Sequence, residues 1–385
     1  MSYPHLCRRI GVAATAALTV GAVAVSSTPA AAAAGRDDVA ARLRALVTEQ
    51  HFPGAVATLH SRDDRERRYT AGVADLRTKA PVPAGGQVRI GSNTKTFTAV
   101  VVLQLVGDGR IRLDEPVETY LPRLVRGDGI DGRRITVRQL LQHTSGLPDY
   151  AAAYLADDIF PVQHRYVSPR DLLDLALAGK AEFAPGQGWA YSNTNYLLAG
   201  LLVERVTGRP VGEEITRRIL RPLNLRDTYF PSAGDQDIRK PHPHGYHLDT
   251  TGTLRDVTRL DPSWGWAAGG MIGTTADLNT FYSAVLAGRL LGEAELAEMR
   301  STVAAPGMWA GARYGLGIIS TPLSCGGLMW GHGGDIHGYE TRDGATDDGR
   351  AAAVAVTALP GSVPEPEKAA DAVVRFVDTA LCRLT

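Results

Sequence analysis

The 385-residue chain carries 41 Lys and Arg against 41 Asp and Glu, is 44% hydrophobic and 21% charged, and contains 3 Cys. Apolar mass sufficient for a sizeable core, with Gly, Pro and Cys far below the levels those classes need, excludes disordered, collagen-like and disulfide-scaffold classes. Balanced charge with no dominant basic block leaves no electrostatic footprint for nucleic acid or an anionic membrane surface.

Residues 1–34 have the pattern of a secretory signal peptide. Arg8-Arg9 precede an uncharged stretch from Ile10 to Val25, then Ser26-Ser27-Thr28-Pro29 and the small residues Ala30 to Ala34, which matches a basic region, an apolar region and a cleavage zone. A membrane anchor is the alternative; Pro29 and the Ala cluster favour cleavage. Loss of the leader takes the formal net charge from 0 to −2 and removes Cys7. Cys325 and Cys382 then remain as an even pair in an oxidising compartment and are expected to form a disulfide, two buried thiols being the alternative. The mature chain is expected to be exported, free of a stable membrane anchor, and monomeric.

Along the rest of the chain, Val39, Leu43, Leu46 and Val47 behind Asp37-Asp38 predict a first helix over residues 37–50. Gly54 to Leu59 and Arg67 to Val73 predict the strands of a hairpin. The apolar run Asn93 to Val106 predicts a helix with Ser92 at or near its N-terminus. Short helical patterns follow at Thr136 to Gln142, from Ser168-Pro169 into Leu172 to Ala178, at Asn193 to Val206 stopped by Gly208, and at Val211 to Leu220 before Pro222. A helix around Ala276 to Leu290, apolar runs Tyr314 to Ile319, Leu328 to Trp330 and Ala351 to Ala358, and a last helix Pro364 to Leu381 complete the chain. Strands at both ends with helices between them predict an α+β fold, one sheet assembled from residues of about 36–110 and 266–385 with an inserted helical part over about 111–265. No internal repeat and no long Pro- or Gly-rich linker divides the chain.

Three short segments carry candidate chemistry. In Ser92-Asn93-Thr94-Lys95 a helical spacing of three puts the hydroxyl and the amine on one face, so a neutral amine there can take the serine proton. Most such pairs are solvated surface, but this chain has 36 Arg and only five Lys, and Lys95 alone has a Ser three residues earlier. Arg does not deprotonate in proteins, whereas Lys is tuned by burial and neighbours. Tyr191-Ser192-Asn193 offers a phenol and an amide at a predicted helix entry, a combination that is otherwise a packed cap. Gly331-His332-Gly333-Gly334 follows the apolar run Leu328 to Trp330 and reads either as a strand edge that lets a substrate backbone approach, through Gly333 and Gly334, or as a turn.

In order and separation these segments resemble the serine β-lactamase and penicillin-binding-protein family: Ser-x-x-Lys, Tyr-x-Asn, then Lys/His-x-Gly. The likeness is greatest to class C β-lactamases and to secreted soluble D-alanyl-D-alanine carboxypeptidases of actinomycetes. It extends over Val88 to Gly91, Ile135 to Leu147, Pro185 to Asn195, Leu323 to Gly326 and the Cys near the C-terminus. The resemblance implies a β-lactamase/transpeptidase-like fold and an acyl-enzyme on Ser92, with Lys95 and Tyr191 sharing the serine proton, Asn193 binding the substrate amide, and His332 supplying positive potential or a relayed proton. It also implies an oxyanion hole from the backbone N–H groups of Ser92 and Asp335, with Trp264 flanking the cleft.

The implied substrate is a peptidoglycan stem peptide or another small acyl compound, with β-lactams trapped as acyl-enzymes. The pattern departs where relatives hold the substrate's terminal carboxylate: Gly333 replaces a Thr, and Ile319 replaces an Arg on the preceding strand, leaving Arg313 or Arg342 as substitutes. That departure keeps an esterase or β-lactamase on the same scaffold open beside the carboxypeptidase, and a non-catalytic binding module beside both. His242, His244 and His247 lie in a Pro-rich stretch without an acidic or thiol ligand pattern and read as a surface loop, so no metal is expected. No nucleotide-binding loop or Gly-x-Ser-x-Gly elbow is present, and no cofactor is expected.

Overall fold

A computed structural model describes residues 29–384, Asp64 and Asp157 excepted. The leader over residues 1–34 falls almost wholly outside the described residues. The first helix, α1 (Pro29–Thr48), starts ahead of Asp37-Asp38, through Ala30 to Ala34, the residue type with the highest helix propensity.

The main sheet has nine strands: β1 (Gly54–His60), β2 (Glu66–Gly72), β3 (Val303–Ala304), β4 (Arg313–Tyr314), β5 (Ile319–Pro322), β6 (Leu328–Gly331), β7 (Gly333–Ile336), β8 (Tyr339–Ala345) and β9 (Ala351–Val356). Their order is β2-β1-β9-β8-β6-β5-β4-β3, with β7 also paired to β8, and every pairing is antiparallel. The sheet is therefore built from the two ends of the chain, and the helices other than the first and the last lie between them in sequence.

Strand β9 shows why the sheet is buried on both faces. Ala351, Ala353 and Ala355 join the core on one side, and Ala352, Val354 and Val356 join the core on the other, as the period of two requires. The first core also takes α2 (Thr94–Gly107) and α8 (Thr275–Leu286); the second takes α1 and α9 (Pro366–Arg383). Helix α2 is buried continuously from Thr94 to Leu103, so it is a central helix rather than an amphipathic one, and its N-terminus is held rigidly.

The helical part holds α3 (Val137–Leu141), closed by a Thr136/Gln139 capping box, and α4 (Tyr150–Leu155), capped by Asp149. It continues with α5 (Pro169–Leu177), α6 (Asn193–Thr207), ended by left-handed Gly208, and α7 (Trp266–Gly269).

Two expectations change. The apolar run from Tyr314 to Ile319 is two strands, β4 and β5, reversed through Gly315 and Gly317, the latter at φ +76°. Strand β8 was not expected, because Tyr-Glu-Thr-Arg-Asp-Gly-Ala lacks apolar alternation; its Glu340, Thr341 and Asp343 are buried nonetheless. Cys325 and Cys382 are joined, with Cα atoms 5.7 Å apart, tying the β5–β6 turn to α9. Closing that loop stabilises the fold by about 4 kcal/mol in the chain-entropy account. Among the described residues no helix is long and apolar enough to cross a membrane.

Candidate active site

Ser92 stands in a 3-10 turn, Gly91–Asn93, that leads directly into α2. Strand β7 packs against this turn at van der Waals limit. Gly91 has φ +49°, and a Cβ on it would lie 2.9 Å from Asp335 N; a Cβ on Gly334 would lie 1.9 Å from Ile90 O. Only glycine fits at both positions, and the contact brings Ser92 and Asp335 together, the two residues whose N–H groups the resemblance assigns to an oxyanion hole. Gly334 thus serves clearance from Ile90, while Gly333 lines the cleft.

Lys95 is fully buried, and its Nζ contacts three acceptors: Ser92 Oγ at 2.9 Å, Asn193 Oδ1 at 2.7 Å and Ala268 O, on α7, at 2.8 Å. The two carbonyl oxygens can only accept, so they fix two amine protons and leave the third position facing the serine hydroxyl. Burial pushes the amine down to about 7, against opposing fields from Asp149 and Asp335. Near neutral pH a substantial fraction is therefore unprotonated, with a lone pair toward Ser92 Oγ.

Asn193 begins α6 and uses both ends of its amide. Its Oδ1 accepts from Lys95, and its Nδ2 donates to Asp149 Oδ2 at 2.8 Å. Asp149 Oδ1 meanwhile caps α4 through Ala151 N at 2.9 Å. The sequence signals Asp149 only as a helix cap; its bond to Asn193 joins positions 44 residues apart and has no local signature.

Tyr191 packs its ring 4.3 Å from that of His143, and Lys95 Nζ lies 4.8 Å from the Tyr191 ring centroid. Burial pushes the phenol well up, a hydrogen bond with Ser92 working against it, so Tyr191 keeps its proton. It is a proton donor in the resting site.

His332 is buried, and both ring nitrogens are engaged: Nδ1 with Gly333 O at 2.6 Å and Nε2 with Tyr314 Oη at 2.9 Å. Burial pushes the imidazole down to about 3. The positive potential expected from His332 is therefore absent, since a neutral ring supplies none. Its backbone N–H goes to Asp343 Oδ1 at 3.1 Å, at a point where the β6/β7 ladder with β8 is interrupted.

These groups open on a cleft of about 950 Å³ lined by Ser92, Tyr191, Asn193, Trp264, His332 and Gly333. Its wall also includes Asp335, Glu367, Asp371 and Arg342. Arg342 is bound to Asp335 at 2.7 Å and to buried Glu340 at 2.8 Å; burial opposes its charge, but the two carboxylates more than offset this. Ile319 is buried with Tyr191 and Trp189 in a small apolar cluster, and Arg313 is turned to Thr302. His242, His244 and His247 go to separate partners, Lys240 O, Asp256 and Ser362, and no group of three metal-ligating side chains gathers among the described residues.

The Beta-lactamase family model matches residues 39–377. The chain belongs to the Beta-lactamase family. Within this family it is 34% identical over 238 residues to Esterase EstB of Burkholderia gladioli, covering 58% of this chain and 59% of the esterase. It is 28% identical over 184 residues to Penicillin-binding protein 4* of Bacillus subtilis (strain 168), covering 47% of this chain and 39% of that protein. The chain thus spans about half the length of the curated relatives it matches. Among solved structures it is similar to a D-stereospecific amidohydrolase from Streptomyces sp., at 40% identity and TM-score 0.80, covering 88% of this chain and 98% of that one. A D-amino acid amidase from Ochrobactrum anthropi SV3 is similar at 25% identity and TM-score 0.78, covering 89% and 98%.

The Asp149–Asn193–Lys95 array makes a prediction. Asp149→Asn places one amide NH₂ against another, so Asn193 turns and takes its oxygen from Lys95, and kcat falls on the order of tenfold or more. Because the Asp149 field raises the Lys95 pKa, its removal moves the acid limb of the pH–rate profile to lower pH. Steady-state kinetics of the variant across pH measure both effects.

Proposed function

We propose that the protein hydrolyses amides or esters of D-amino acids bearing a free ammonium group, through an acyl-enzyme on Ser92. One observation carries the substrate class: among the described residues the cleft wall carries three carboxylates, Asp335, Glu367 and Asp371, against one guanidinium, Arg342, which is shared between Asp335 and Glu340; Asp335 is engaged by that guanidinium and Asp371 by Arg375 at 3.3 Å, so the excess charge is negative. A cleft of that balance suits a cationic amine better than a terminal carboxylate. Asp335 is 56% exposed at its side chain and lines the cleft beside the turn of Ser92. The D configuration rests on the likeness to the amidohydrolase and the amidase alone.

In this reading neutral Lys95 takes the Ser92 proton as Oγ attacks the acyl carbon. The developing oxyanion is stabilised by the N–H groups of Ser92 and Asp335, each worth about 3 kcal/mol in acyl transfer. Tyr191, which carries its proton, delivers it to the leaving nitrogen or oxygen and is reprotonated from Lys95. Water then cleaves the acyl-enzyme by the reverse path.

A second reading is D-alanyl-D-alanine carboxypeptidase with β-lactam binding. It is favoured by the 12% exposed Arg342 guanidinium on the cleft wall, and it requires Asp335 to release that group to a substrate carboxylate. We also infer export, from the leader pattern and from the Cys325–Cys382 bond, which an oxidising compartment sustains; protein from the medium is expected to lack residues 1–34 by intact mass.

Turnover of D- and L-phenylalanine amide, N-acetyl-D-phenylalanine amide and diacetyl-Lys-D-Ala-D-Ala separates the readings. The expected result is hydrolysis of D-phenylalanine amide, with KM raised about tenfold or more by N-acetylation or by Asp335→Asn, since either removes a charge-assisted bond. Faster release of D-alanine from the diacetyl peptide than of ammonia from the amide selects the carboxypeptidase instead.

A further inference from the structure

Behind the cleft a single file of buried hydrogen bonds runs from the loop after α3 to strand β7, and its proton order is fixed from one end. Leu147 N donates to Ser145 Oγ at 3.1 Å, and the Ser145 hydroxyl donates to Asn195 Oδ1 at 2.6 Å. Ser192 N, which can only donate, reaches His143 Nδ1 at 3.2 Å and fixes it as an acceptor, so the Asn195 amide turns Nδ2 toward the same nitrogen at 3.0 Å and Oδ1 toward Ser145. His143 Nδ1 is thereby the acceptor and Nε2 carries the proton. Nε2–H donates to Tyr314 Oη at 3.2 Å, Tyr314 Oη–H donates to His332 Nε2 at 2.9 Å, and His332 Nδ1–H donates to Gly333 O at 2.6 Å. His143, Ser145, Asn195, Tyr314 and His332 are all buried.

This file joins the two walls of the cleft. At one end Ser192 lies between Tyr191 and Asn193; at the other Gly333 lies two residues before Asp335. We propose that His143 and Tyr314 are positioning residues, which hold the phenol and amide of Tyr191 and Asn193 in fixed register with the oxyanion donor of β7 by acting through Ser192 and His332. His332 is on this account the far link of the same device and not an acid or base, because neither of its nitrogens is free toward Ser92. The inference rests on the Ser92 acyl-enzyme of the proposed function and is independent of its substrate.

The titratable groups facing the two histidines are Lys95, Tyr191, Tyr196, Tyr314, Arg342 and Asp343, the last accepting from His332 N. Burial, with Lys95 nearby, pushes both imidazoles down, so the file stays neutral and its order does not reverse near neutral pH.

Hydrolysis of p-nitrophenyl acetate by Tyr314→Phe, His143→Gln and the double variant tests the proposal. Each single change is expected to lower kcat on the order of 10- to 100-fold with KM kept within about twofold, and the double variant is expected to be no slower than the worse single one, because one cut already breaks the file. Either single variant retaining kcat within about twofold, or effects that multiply in the double variant, overturns it. A wild-type readout needs no variant to fold and no turnover: the imidazole N–H protons of His143 and His332 are expected as protected NMR signals that persist from about pH 5 to about pH 9 with each tautomer unchanged, moving only slightly as the neighbouring Lys95 and Asp343 titrate. Titration of either ring in that range overturns the assignment. Absence of esterase activity in the wild type counts against the Ser92 reading and leaves the NMR result to decide the file.

Discussion

The site depends on an amine kept away from water. Lys95 lies in the first turn of α2, three residues after Ser92, with its stem inside the core and its Nζ facing two carbonyl oxygens and one hydroxyl. An exposed lysine stays charged at neutral pH and cannot accept a proton; this one is brought to about 7 by burial. The protein must therefore hold the amine dry and also leave one side of it open to the serine, and much of the surrounding architecture serves that condition. Continuous burial of α2 fixes the position of the amine, α7 supplies Ala268 O, and α6 supplies Asn193.

The second constraint is the close approach of β7 to the serine turn. Glycines at 91 and 334 allow a contact that no side chain would permit, and the interrupted ladder at His332 is closed by Asp343 from β8. Buried polar groups of this kind add little net stability, and one left unpaired is costly. Asp343 illustrates the point: burial raises its pKa to about 7, and one of its oxygens has no hydrogen-bond partner. Strand β8 carries Glu340, Arg342 and Asp343 in the middle of a sheet, an arrangement expected at a functional wall.

Much of this was legible in the sequence. The Ser92–Lys95 spacing, the Tyr191–Asn193 pair and the glycines around His332 are local patterns, and the apolar runs of β1, β6 and β9 place the sheet at the chain ends. Strand β8 was not legible, because the charges that make it functional erase the alternation by which strands are recognised. Asp149 and Tyr314 escaped for a different reason: each acts through a partner distant in sequence, Asn193 and His143 respectively, and neither stands in a motif. Of the two roles open to His332, positive potential or a relayed proton, burial disfavours the first, because sequence shows a basic residue type but not its desolvation.

The most direct test of the neutral-amine account is the rate at which p-nitrophenyl acetate acylates the protein, followed across pH, with the labelled residue located by peptide mass spectrometry. The account predicts acetyl on Ser92 and a rate that rises with pH to a plateau with its midpoint near about 7, because deprotonated Lys95 is the base. Label on another residue, or a Ser92 acylation rate that does not change with pH through that range, would contradict it.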